Sequence, residues 1–150
     1  MKNRLNLVAK GQEAIKPLHQ MGNHLKKSTV EKNLQEMIKI RVSQINGCAF
    51  CLDMHWKDAR ALGETEQRLY GLSAWNESPY YSEREKAGLQ WAEAVKVGKV
   101  PDDVYAEATK HFSEAEVIDL TMVTCLIDTW NKVNIAFPKL AGTYEVGQWG

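Results

Sequence analysis

The chain shows no surplus of either charge: over 150 residues, 19 lysines and arginines balance 19 aspartates and glutamates. That leaves no positive field to hold nucleic acid or anionic lipid, and no acidic tail, so neither nucleic acid nor a membrane is an expected partner. No segment approaches the roughly 18 apolar residues of a membrane span, and Met1-Lys-Asn-Arg-Leu-Asn-Leu-Val-Ala-Lys has positive charge without the apolar run of a signal peptide. Cysteine is scarce. There are three, an odd number, two of them in one C-x-x-C, which is not how a secreted disulfide framework is spaced. A reducing, cytoplasmic location is the expectation. Strand alternation, internal repeats, low-complexity runs and linkers are likewise missing. What remains is one all-α domain over residues 1–150, a bundle of about six to seven helices, whose 44% apolar content suffices to bury roughly two-thirds of the unfolded surface.

Helical periodicity and stop signals place the elements. Residues 11–25 form a helix that Pro17 either kinks or opens as a first-turn residue. Ser28-Thr-Val-Glu31 has the capping-box pattern for the helix over 30–45, and Asn46-Gly47 supplies the residues that end it. A further helix starts at about Cys48 and closes near Gly63. Glu64 to Trp75 is a shorter helix, followed by a loop at Asn76-Glu-Ser-Pro79. Ser82-Glu-Arg-Glu85 and Ser113-Glu-Ala-Glu116 are two more capping boxes, and Pro101-Asp-Asp has the proline-and-acid opening of a helix running to about His111. The helix through Val117 to Trp130 is apolar nearly all round, which fits the centre of the bundle and a subunit interface at once. Gly142 to Gly150 has no periodicity, and Tyr144 and Trp149 are its candidates for contact with a neighbour.

The chemistry-bearing residues gather between Glu36 and His55. Cys48, Cys51 and His55 stand at i, i+3 and i+7 on one helix, so all three project from one face, and Cys51 and His55 are direct i,i+4 neighbours. Two helical cysteines at i,i+3 have Cα atoms within the distance a disulfide tolerates, and Cys48 lies where a helix N-terminus favours a thiolate. If the two helices fold back at Asn46-Gly47, Glu36 and His55 lie roughly 16 and 12 Å along their axes from the turn, at similar depth. Periodicity leaves both faces open to Glu36, because Met37, Ile38, Ile40, Val42 and Ile45 spread apolar surface around that helix.

These residues resemble a known family. Glu36, eleven intervening residues, Cys48-x-x-Cys51 and then His55 are similar to the alkyl hydroperoxidase D branch of the carboxymuconolactone decarboxylase-like proteins. Lys39-Ile-Arg-Val-Ser-Gln-Ile-Asn-Gly-Cys, Lys57-Asp-Ala-Arg-Ala-Leu-Gly-Glu-Thr-Glu, Ser82-Glu-Arg-Glu and Trp130-Asn131 resemble its single-domain peroxidase-related members, over residues 10 to 138. The resemblance implies an all-helical fold assembled as trimers or hexamers, and thiol-dependent reduction of a hydroperoxide. It makes Cys51 the peroxidatic thiol, Cys48 the resolving thiol, and His55 with Glu36 a proton relay. It also implies an external dithiol reductant, lipoyl or thioredoxin-like, and no cofactor. One departure is Phe50, where some members carry a histidine inside the C-x-x-C. The relay then runs through His55 alone.

Residue chemistry agrees with those roles. A neutral imidazole one turn away can take the Cys51 proton, a carboxylate behind it stabilises the imidazolium, and the imidazolium can protonate the departing alkoxide. Other readings use the same residues: a general disulfide oxidoreductase, a lactone decarboxylase that would not need the C-x-x-C, or a metal-binding oligomer in which two thiolates, His55 and Glu36 hold zinc or iron. Glu36 could alternatively be a helix-surface residue paired with Lys39. Cys125 is expected to be an inert core thiol and Trp75, Trp91 and Trp130 core aromatics. His19, His24 and His111 read as surface or capping residues, and Asp53 and Asp58 as solvent-facing.

Overall fold

The computed structural model describes residues 4–148. Among these there are seven α-helices and no strand: α1 Leu7–Leu25, α2 Lys32–Asn46, α3 Ala49–Ala61, α4 Glu66–Gly71, α5 Glu83–Val97, α6 Asp102–His111 and α7 Glu114–Ala136. A short 3-10 turn, Leu72–Ala74, follows α4, so the helix expected through Trp75 is two pieces.

Capping chemistry explains most boundaries and one displacement. Ser82 and Ser113 both form complete capping boxes, with Glu85 and Glu116 reaching back to the cap backbone. The box expected at Ser28 to Glu31 does not form. Ser28 Oγ instead accepts from the Val30 amide, Glu31 becomes the N-cap residue with no side-chain cap, and its carboxylate accepts from Arg84 of α5 at 2.8 Å. The long-range ion pair takes the group the local motif needed. α1 begins before the expected start because Asn6 Oδ1 caps the Ala9 amide, which places Pro17 inside the helix and not in its first turn.

α2 runs through the middle of the bundle, packed against α3, α5 and α7. Leu34, Met37, Ile38 and Val42 are fully buried on it, and five successive residues from Leu34 to Ile38 are buried, so this helix has little solvent face. Each such large aliphatic side chain contributes about 1.5–3 kcal/mol on burial. α5 approaches closely enough that a Cβ on Gly88 would lie 3.1 Å from Leu34. α7 packs on α1, α2, α3, α5 and α6, which gives it the central place expected of it, with Leu120, Val123 and Ile127 turned inward.

The same helix corrects one expectation. Cys125 is exposed, not a core thiol. It shares an outward stripe with Ile118 and Lys132 at seven-residue spacing, whereas the buried stripe runs through Leu120, Thr124, Ile127, Asn131 and Asn134. Trp91 is buried and donates from Nε1 to Thr121, Trp75 is partly buried and donates to Glu93, and Trp130 stacks obliquely on His19. His24 is exposed and His111 half-buried, and they pair with Asp119 and Glu107.

Candidate functional site

The α2–α3 hairpin positions the site. Gly47 takes a left-handed conformation, φ +70°, and the Cys48 amide donates back to Ser43, so α2 ends and the chain reverses within two residues. The turn is pinned from α7: Asn46 Nδ2 donates to Asp128 and Asn131, both at 2.9 Å, and Asn131 Nδ2 donates to Ser43 Oγ. Cys48 is the N-cap residue of α3, its sulfur accepting from the Cys51 amide at 3.4 Å, and a disulfide joins it to Cys51 with the Cα atoms 5.3 Å apart.

On the next turn of α3, His55 meets Glu36. The imidazole Nδ1 lies 2.8 Å from Glu36 Oε2, both side chains are buried, and Lys39 donates to the other carboxylate oxygen at 2.5 Å. Glu36 therefore faces α3 and pairs with Lys39 as well, but it is buried, so it is not the helix-surface residue of the alternative reading. Burial alone would raise the Glu36 pKa. The Lys39 ammonium and then His55 outweigh it and hold the carboxyl at about 2. An ionised carboxylate only accepts, so the hydrogen of neutral His55 sits on Nδ1 and Nε2 is left as the basic nitrogen.

Cys51, His55 and Glu36 all belong to the wall of one cavity of about 410 Å³, whose remaining lining is largely apolar, including Leu18, Phe50, Met54, Leu126 and Trp130. Cys48 is not part of that wall. Phe50 lies 5.3 Å below the Lys39-distinct cation Lys139, which stacks on its ring.

Three further residues enter the site. Asp58, expected in solvent, is half-buried and accepts from Tyr144 Oη at 2.7 Å. Burial raises its pKa, the tyrosine hydrogen bond opposes that, and Glu36 adds to it. The signal for Asp58 was its spacing, i+3 from His55 and i+7 from Cys51 on one face. Tyr144 packs on its own chain, while Trp149 lies outside the described residues. Lys57 donates to the Tyr144 carbonyl and Asp53 accepts from the Gly142 amide, so the tail after α7 is tied along α3, and Asp53 is not simply solvated. Asn134 is the third: its Nδ2 is 3.5 Å from Cys51 Sγ, and its buried Oδ1 has no hydrogen-bond partner. Such an orphaned acceptor typically costs about 1–3 kcal/mol. A pair of asparagines at i,i+3 on the inward stripe of the most apolar helix was its sequence signal.

Glu36, His55 and Asp58 place ligand atoms within 4.8 Å of one another. Neither cysteine belongs to that group, which separates it from the thiolate metal set read from the sequence. Protein groups already serve these acids, Lys39 and His55 on Glu36 and Tyr144 on Asp58. Among the described residues, no helix is long and apolar enough to cross a membrane.

Comparison with known proteins places this arrangement. The family model described as carboxymuconolactone decarboxylase matches residues 12–94. The uncharacterized protein YdfG of Bacillus subtilis (strain 168) is 41% identical over 146 residues, covering 95% of this chain and 99% of that protein. A crystal structure of a protein of unknown function from Agrobacterium tumefaciens, described there as a candidate AhpD antioxidant defence protein, superimposes with a TM-score of 0.89 at 37% identity. The match covers 95% of this chain and all, 100%, of the other. An uncharacterized peroxidase-related protein from Silicibacter sp. TM1040 shares the fold, with a TM-score of 0.78 at 24% identity over 92% of this chain and 75% of its own. From the helical fold, the C-x-x-C at the start of α3 and these matches together, the chain belongs to the carboxymuconolactone decarboxylase family, as an AhpD-like, peroxidase-related member.

Proposed function

We propose that this protein is a thiol-dependent peroxidase that reduces organic hydroperoxides through a Cys48–Cys51 dithiol–disulfide cycle. The observation that carries the reading is Cys51 in the wall of an apolar cavity, one helical turn from an imidazole that a buried carboxylate holds by Nδ1. An apolar cavity of about 410 Å³ favours a hydroperoxide with a hydrocarbon body over hydrogen peroxide.

In this cycle His55 takes the Cys51 proton, and the thiolate attacks the distal oxygen of ROOH. The S–O bond forms as the O–O bond breaks, and the alkoxide leaves as ROH with the proton returned by His55. Cys51 is then a sulfenic acid. The Cys48 sulfur attacks it, water departs, and the disulfide closes ahead of further oxidation. An external dithiol, lipoyl or thioredoxin-like, supplies the two electrons that reopen it by exchange. The same proposal includes a homo-oligomer, trimer or hexamer, supported by the family resemblance and by Ile118, 62% exposed on the outward stripe of α7. A monomer in analytical ultracentrifugation at micromolar concentration would remove that part.

The deciding experiment treats the reduced protein with one equivalent of cumene hydroperoxide, counts free thiols and locates any disulfide by mass spectrometry. The expected result is loss of two thiols per chain, a Cys48–Cys51 bond and peroxide consumed in step. Unchanged thiols in a folded, metal-free sample would overturn the reading and move the function to disulfide exchange with a protein.

A further inference from the structure

Asn134 is a buried polar side chain at the site that the cycle above leaves without a task and that has an unpartnered atom. It projects from α7, is only 7% exposed, and lines the same cavity as Cys51. Its two amide atoms are used unequally. Nδ2 approaches Cys51 Sγ at 3.5 Å, across 83 residues of sequence, while Oδ1 is buried with no partner. The amide can face the sulfur productively in only one sense, because a thiolate accepts and cannot donate, so the N–H side belongs against Sγ, and the carbonyl oxygen, on a residue that lines the cavity, is left without a partner.

We propose that Asn134 is a further catalytic residue, whose Nδ2–H donates to the Cys51 thiolate and whose Oδ1 accepts the O–H of the hydroperoxide. This rests on the peroxidase reading above. Attack on ROOH needs the hydroxyl-bearing oxygen against the sulfur, with the O–O bond pointing away. An acceptor on the amide whose other end touches the sulfur fixes that oxygen by its own hydrogen and leaves the alkyl group directed into the apolar part of the cavity. No electrons pass through Asn134. The hydroxyl hydrogen stays with the oxygen transferred to sulfur, as Cys51–SOH, and the proton for the leaving alkoxide comes from His55 as before. The orphaned oxygen thus gains a partner when the hydroperoxide binds, and the bond contributes to the rate by orienting the O–O bond and to the extent that it strengthens in the transition state.

The test uses two probes of the same thiol, cumene hydroperoxide, which has an O–H, and iodoacetamide, which has none at its reacting carbon. Asn134→Leu keeps the volume and removes both functions; Asn134→Asp keeps an acceptor and replaces the donor with a negative charge. In Asn134→Leu, the pH midpoint of thiolate absorbance should rise. At a pH where the thiol is fully ionised, alkylation should match the wild type while the hydroperoxide rate falls about tenfold, the effect of one ordinary hydrogen bond. Asn134→Asp should raise the midpoint further yet keep the ratio of the two rates near that of the wild type. A folded Asn134→Leu with unchanged midpoint and unchanged ratio overturns the assignment while leaving the peroxidase standing. Wild-type protein that is alkylated normally but does not react with the hydroperoxide overturns both.

Discussion

Glu36 of α2 and His55 of α3 meet at 2.8 Å across a turn of two residues, with the carboxylate accepting from Nδ1 and Lys39 neutralising its other oxygen. The pair fixes the tautomer of the imidazole through its geometry and the charge of the carboxylate. Because Glu36 is held at about 2, it stays ionised throughout the neutral range and keeps the hydrogen of neutral His55 on Nδ1.

That pair should be visible in stability as a function of pH. Glu36 is depressed from an ordinary 4.5 to about 2 on folding, so its contribution is complete above pH 4.5 and is lost as pH falls towards and through 2. At about 1.4 kcal/mol for each factor of ten in proton affinity, the contribution is on the order of 3 kcal/mol. Urea unfolding of wild type and Glu36→Gln should differ by roughly that much at pH 7, and the gap should narrow steadily below pH 4.5. A gap that stays constant down to pH 3 would mean that the carboxyl is not depressed by its partners.

The two cysteines should prove inequivalent. Cys51 faces the cavity with His55 and Cys48 does not, so Cys51→Ser should abolish hydroperoxide reduction, whereas Cys48→Ser should turn over once and then stall as a sulfenic acid, a mixed adduct or an over-oxidised thiol. His55→Ala should slow alkylation of Cys51 by iodoacetamide near neutral pH by about tenfold or more. Identical behaviour of the two cysteine variants would show the assignment of roles to be wrong, and an unchanged alkylation rate would remove His55 from the mechanism.

How much of this was legible depended on the range of the interaction. The Cys48, Cys51 and His55 face follows from helical spacing, and the hairpin from Asn46-Gly47, because both are settled within one or two turns. The capping boxes at Ser82 and Ser113 formed for the same reason, while the pattern at Ser28 yielded to Arg84, 53 residues beyond Glu31. Asn134 shows the limit. Nothing local marks it as a neighbour of Cys51, since the contact exists only once α7 lies across α3. Cys125 was misplaced because a helix apolar over most of its circumference has no strong phase, and burial there is decided by which neighbours pack on it.

The hairpin turn gives a prediction confined to backbone conformation. A Cβ at Gly47 would meet no atom within 4 Å, so Gly47→Ala carries only the strain of placing an L-residue at φ +70°. That strain is about 1–2 kcal/mol. Gly47→Asn, which tolerates the left-handed region better, should recover part of the loss. Thermal unfolding of the three proteins should rank glycine above asparagine above alanine. Alanine equal to glycine would show that the turn relaxes out of the left-handed conformation.

The tail after α7 bears on how the disulfide is reopened. In the disulfide form Cys51 is 0% and Cys48 2% exposed, so neither sulfur of the closed bond can be reached by a dithiol without local movement. Tyr144 holds the tail along α3 by donating to Asp58, and burial together with that hydrogen bond raises the phenol to about 12, so it remains a donor throughout the neutral range. Tyr144→Phe removes this bond and the one that the same oxygen accepts from the Gly147 amide at 3.3 Å, each worth about 1 kcal/mol, and leaves the Lys57 and Asp53 attachments to the backbone in place. If opening of the tail precedes exchange, reduction of the disulfide by dithiothreitol should quicken several-fold in Tyr144→Phe, and by more in Tyr144→Ala, while the wild-type rate shows the same dependence on mild urea that amide exchange reports for residues 142–147. A reduction rate that is unchanged in both variants would place the necessary opening elsewhere, at the N-terminal turn of α3 where Cys48 caps the helix.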